Sequence, residues 1–112
     1  MTLVAVFALL LAQASAPSPD PCLHEATVVM PVMSEFPPSF RPAGPLTVEA
    51  MVLVGPDGSV ESATISHSSG YAGVDAAVIR AARASSYSPK VVDCKPVEGR
   101  YLFREDLKPG PP

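Results

Sequence analysis

The chain has 112 residues, 47% of them apolar, a formal charge of -3 and a pI near 5.2. That length holds one small domain and excludes a second. The acidic balance supplies no basic footprint, which excludes nucleic acid and anionic lipid as main partners.

Residues Leu3 to Ala12 form an apolar run that closes on Gln13-Ala14-Ser15-Ala16, with small residues set one apart as at a cleavage site. Residues 1–16 therefore read as a secretory signal peptide, although only the terminal amine supplies positive charge. The run stops at about 14 residues, short of the roughly 20 that cross a bilayer core, before Pro17 and Pro19 break it. Cleavage leaves a mature chain that begins with a Pro-rich linker over residues 17–25 and ends with a disordered tail over 108–112. Cys22 and Cys94 lie near its two ends. In an exported protein an even pair reads as a disulfide, and closing a loop of about 73 residues is worth roughly 4 kcal/mol in the chain-entropy model.

Ala26 to Met30 is apolar enough for a strand or an extended arm. From Pro31 to Pro45 the prolines at 37, 38 and 42 forbid a long helix, and Phe36 and Phe40 are the anchors of this arm into a core. Leu46 to Val54 alternates, with Val48, Ala50, Val52 and Val54 on the better core face. Gly55-Pro56-Asp57-Gly58 is a hairpin turn: a fixed φ, a side chain that bonds its own backbone, and a glycine tolerant of positive φ. Ser59 to His67 returns with Val60, Ala63 and Ile65 inward. The step of three between Val60 and Ala63 predicts a bulge near Glu61 and Ser62.

Ser68-Ser69-Gly70 leads into a helix whose apolar stripe is Val74, Ala77, Val78, Ala81 and Ala82. Asp75 suits the positive end of its dipole, Arg80 and Arg83 the other, and Tyr87-Ser88-Pro89 marks its limit, with Tyr87 as a plug. The last element runs from Val97 to Phe103, extending toward Leu107. A right-handed crossover sets it beside the first strand, antiparallel, in the order second, first, third. The expected fold is α+β: three antiparallel strands in the order 2-1-3, one helix on a face and an N-terminal extended arm. The last strand is then an edge whose backbone is free to pair.

Val48-x-Ala50-x-Val52, Asp57-Gly58-x-Val60, Ser68-Ser69-Gly70, Val74-Asp75-x-Ala77 and Tyr87-x-Pro89, in that order, resemble the TonB C-terminal domain family over residues 26–107. Phe36-Pro37 is similar to its aromatic-Pro step. The resemblance implies a periplasmic domain of transmembrane transport, part of an energy transducer, with no chemistry, no cofactor and no small-molecule substrate. It implies a partner too: an extended segment of an outer-membrane receptor, the TonB box, added to the sheet edge at Val97, Gly99, Arg100, Tyr101, Leu102 and Phe103. Asp57, Gly58, Ser68, Ser69, Gly70 and Asp75 then serve the turn and the helix start. Two departures stand out. Pro38, Pro42 and Pro45 occupy the place of a short helix, and the residues between Ala16 and Cys22 reach only about 20 Å where a transducer has a long spacer.

Catalysis and metal binding find little footing. Ser68 and Ser69 beside His67 suggest a nucleophile and base, but neighbours on a strand face opposite ways and nothing orients the histidine. His24, Glu25 and His67 have no ligand spacing. Two function classes therefore remain: a peptide-binding module working through its edge strand, and a stand-alone structural domain that forms a homodimer through the same edge. Inner-membrane tethering through residues 1–16 is the alternative to a free periplasmic domain.

Overall fold

A computed structural model describes residues 20–109. The segment read as a signal peptide lies outside the described residues, as do the first of the linker and the last of the tail. In chain order the elements are β1 (Leu23–His24), β2 (Thr27–Met30), β3 (Leu46–Val54), β4 (Val60–His67), α1 (Ala72–Ala84), β5 (Ser86–Ser88), β6 (Lys90–Val92), β7 (Lys95–Val97) and β8 (Gly99–Leu107).

The alternation of β3 makes it the spine of the fold. Val48, Ala50, Val52 and Val54 are all fully buried on its inner face. β3 pairs antiparallel with β4 on one side and β8 on the other, giving the strand order β4-β3-β8. The small side chains of α1 close that inner face: Val74, Ala77, Val78, Ala81 and Ala82 are buried, as the stripe predicts. Short side chains bring a helix axis close to a sheet without leaving voids. Ala63 and Phe103 complete the core from the flanking strands, and Val60, Ile65, Phe36 and Phe40 pack against it.

The hairpin is built as its residues dictate. The Gly55 N–H donates to the Ser59 carbonyl at 2.8 Å and the Gly58 N–H to the Gly55 carbonyl at 2.9 Å. Asp57 Oδ1 accepts from the Ser59 N–H at 3.0 Å and from its hydroxyl at 2.6 Å, which holds the Asp57 carboxyl below the usual carboxylate range. Leu53 pairs with Ser62 and Val54 with Val60, so Glu61 is the extra residue of a bulge. A second bulge was not foreseen: Glu49 pairs with His67 and Ala50 with Ile65, leaving Ser66 out, and the Ser66 hydroxyl donates to the Glu49 carbonyl at 3.2 Å.

Three expectations need correcting. The helix stops at Ala84, because Ser85 turns to φ -72°, ψ 156°, and its buried hydroxyl donates to the Ala81 carbonyl at 2.8 Å. Tyr87 therefore lies in β5, paired with Val28 of β2, and still plugs the core from there. The last expected strand is two strands broken at Glu98. Val97 belongs to β7, opposite Lys90 of β6, while Gly99 opens β8. Gly99 permits this change of course, since a Cβ there would meet Lys90 Cβ at 2.6 Å. Finally, part of the Pro-rich linker is paired, since β1 lies against β6; beside it Cys22 is disulfide-linked to Cys94, 72 residues away, as expected.

The β6–β7 hairpin turns on Asp93 and Cys94, both left-handed at φ 52° and 62°. Two consecutive left-handed residues match the twist of a two-residue hairpin. Between Pro31 and Pro45 the chain forms neither helix nor strand. Phe36 and Phe40 stand 6.3 Å apart there, and Phe40 meets Tyr71 edge-on at 5.4 Å.

A candidate strand-accepting edge

β8 owes its regularity to its sequence. From Gly99 to Leu107 the residues alternate: Gly99, Tyr101, Phe103, Glu105 and Leu107 turn inward, while Arg100, Leu102, Arg104 and Asp106 face out. Its register with β3 is unbroken, from Leu46 opposite Leu107 to Val54 opposite Gly99. Among the described residues no strand pairs with its other side. Alternate N–H and C=O groups along nine residues thus point away from the sheet. β4, the opposite edge, is broken by bulges at Glu61 and Ser66, which twist a strand and interrupt the even spacing a new partner needs.

The inner face holds β8 in place. Phe103 is buried and Tyr101 packs on Tyr87 with ring centres 5.5 Å apart. Glu105 Oε1 accepts from the Ser34 hydroxyl at 2.6 Å and from its N–H at 3.3 Å, tying the Pro-rich arm to the strand. On the outer face Asp106 Oδ1 accepts from the Thr47 hydroxyl at 2.8 Å and lies 3.3 Å from Arg104 Nη2. The Thr47 hydrogen bond first, and Arg104 second, hold the Asp106 carboxyl below the usual range. Arg104 also reaches Glu49 at 3.9 Å. Leu102 stands 42% exposed among these charges, and Arg100 makes no ion pair among the described residues.

The residues expected at the edge divide accordingly. Gly99, Arg100, Tyr101, Leu102 and Phe103 lie together on β8, whereas Val97 lies on β7 of the other small sheet. Beyond the edge residues named from the sequence, β8 continues through Arg104, Glu105, Asp106 and Leu107. The alternation continues past Phe103, in line with the extension toward Leu107 that the sequence suggests. Asp57 and Gly58 form the hairpin turn. Ser68, Ser69, Gly70 and Asp75 form the helix start: Asp75 accepts from the Ser68 hydroxyl, and its Oδ1 accepts from the Ser69 N–H at 2.9 Å and hydroxyl at 2.7 Å. The two serine hydroxyls in turn accept from the Gly70 and Tyr71 N–H groups. Their hydroxyls are thus committed to the helix start.

Among the described residues no group of His, Cys, Asp and Glu is placed to hold a metal ion, and no helix is long and apolar enough to cross a membrane. Among the described residues, one helix laid on a three-stranded antiparallel sheet, with a regular outer strand left open, defines a small α+β domain. Residues 46–104 match the family model of the Gram-negative bacterial TonB protein C-terminal, and the chain belongs to that family. It is thus a TonB-like domain, of a family that is periplasmic and serves transport without catalysis. No curated protein and no solved structure matches the chain.

Proposed function

We propose that this domain binds an extended segment of an outer-membrane receptor, of TonB-box type, as a fourth strand along β8. The observation that carries the reading is the unbroken nine-residue register of β8 on one side and, among the described residues, its unpaired backbone on the other. Main-chain hydrogen bonds supply affinity in this mode, and alternate side chains of the incoming strand supply selectivity. On the outer face those side chains meet Arg100, Leu102 and Arg104; on the inner face they meet the rim of Tyr101 and Glu105. The Gly55–Gly58 turn, the Ser-Ser-Gly helix start and the core serve to hold β8 straight. Titration of the isotopically labelled domain with receptor-derived extended peptides tests this. Amide shifts concentrated between Gly99 and Leu107 are expected, and saturation with peptide that leaves those amides unmoved removes the reading.

A further inference from the structure

We propose that the Cys22–Cys94 disulfide is a redox latch: its reduction by a dithiol releases residues 20–25 from β6 while the rest of the domain stays folded. The latch closes a strand that has little else to hold it. β1 is two residues long, with Leu23 opposite Val92 and His24 opposite Val91. Both β1 side chains are exposed, Leu23 by 55%, so the strand brings only part of one apolar side chain to the fold. Beyond the ladder, the Cys94 N–H donates to the Cys22 carbonyl at 3.1 Å, and the Asp20 carboxylate and carbonyl bond locally to Cys22 and Leu23. The Glu25–Lys90 pair spans 3.8 Å between an exposed Glu25 and a half-buried Lys90, and at that length restrains little.

The boundary of the released segment is fixed by Ala26. It is 5% exposed, belongs to the core cluster and lies beside Gly99, and the β2–β5 ladder follows immediately at Thr27 opposite Ser88. The opening therefore hinges between Glu25 and Ala26. On the far side the β6–β7 hairpin keeps its own ladder, Lys90–Val97 through Val92–Lys95. What opening uncovers is the outer edge of β6 at Val91 and Val92, both half-buried with β1 in place.

The bond is placed for exchange, since Cys94 is exposed at the tip of the hairpin and Cys22 is half-exposed. A thiolate of the dithiol attacks Cys94 Sγ; the S–S bond breaks and Cys22 leaves as a thiolate that takes up a proton. The second thiol of the reductant then attacks the mixed disulfide. Cys94 departs with its electron pair and gains a proton, and the dithiol ends as a disulfide. Two electrons and two protons pass to the protein.

The test compares backbone and methyl spectra of the oxidised domain, the domain in excess dithiothreitol, and a variant carrying both Cys22→Ser and Cys94→Ser. The expected result, in reduced and variant protein alike, is random-coil shifts at Leu23 and His24. The backbone amide at position 94 should then exchange at least about tenfold faster, while Val48, Val52 and Val78 keep native shifts. Native shifts retained at Leu23 and His24 overturn the latch. Loss of the native shifts of Val48, Val52 and Val78 along with β1 overturns it as well, for the disulfide is then a staple of the whole domain.

Discussion

The Tyr87 hydroxyl donates to the Ala82 carbonyl at 2.6 Å, so a residue of β5 closes the end of the helix that precedes it. Helix ends leave their last carbonyls without partners, and many helices solve this with a glycine. Here Ser85 serves Ala81 and Tyr87 serves Ala82. Burial pushes the Tyr87 phenol above its ordinary pKa, with Ser85 opposing. Replacing Tyr87 with Phe keeps the ring and strands a buried acceptor. A loss of about 1–3 kcal/mol in urea unfolding is expected.

Two glycines separate backbone strain from crowding. Gly58 and Gly70 both sit at positive φ, 84° and 87°. A Cβ on Gly58 would stand 2.7 Å from the Tyr87 carbonyl oxygen, whereas a Cβ on Gly70 meets nothing within 4 Å. Gly70→Ala is expected to cost about 1 kcal/mol, the strain of a left-handed alanine alone. Gly58→Ala is expected to cost clearly more, because the hairpin must also move off β5. Parallel denaturation of the two variants checks the order.

Asp75 gives the helix start a pH dependence of definite sign. Burial alone raises its pKa, but the hydrogen bonds from Ser68 and Ser69 outweigh it and leave it lowered. A carboxyl depressed in the folded state stabilises fully above its unfolded value of about 3.9 and loses that contribution as pH falls through the folded value. Asp75→Asn is therefore expected to cost about 0.5–1 kcal/mol near neutral pH, the loss of charge-assisted hydrogen bonds from Ser68 and Ser69 at a site that solvent partly screens. The gap between variant and parent narrows as the pH drops below about 4. Stability measured across that window checks it.

The disulfide acts on the unfolded chain as well as on β1. It closes 72 residues of sequence, and its loss is expected to lower global stability by up to roughly 4 kcal/mol in the loop-entropy picture. Denaturant midpoints with and without dithiothreitol measure this directly.

The elements that announced themselves in sequence were those whose pattern is local and strong. Val48 to Val54 alternates without interruption, and the Val60-to-Ala63 step requires the bulge that Glu61 supplies. The stripe from Val74 to Ala82 fits one helical face. β1, β5, β6 and β7 are two or three residues long, too short for any period to show. They exist because partners remote in sequence meet them: β6 finds β1 across the disulfide, and β5 finds β2. Ser85 likewise looks like any helix residue until the Val32 N–H donates to its hydroxyl at 2.8 Å. Of the candidate edge, Gly99 to Phe103 was legible as alternation with a free side. The break before Gly99 was not, because it depends on how closely Lys90 approaches.

Hydrogen exchange at the two sheet edges, with and without saturating receptor-derived peptide, tests the central claim most directly. A strand added to β8 hydrogen-bonds to the outward amides between Gly99 and Leu107, so their exchange slows while the amides of β4 from Val60 to His67 keep their rates. Protection that appears along β4, or no added protection on β8 at saturation, contradicts the account.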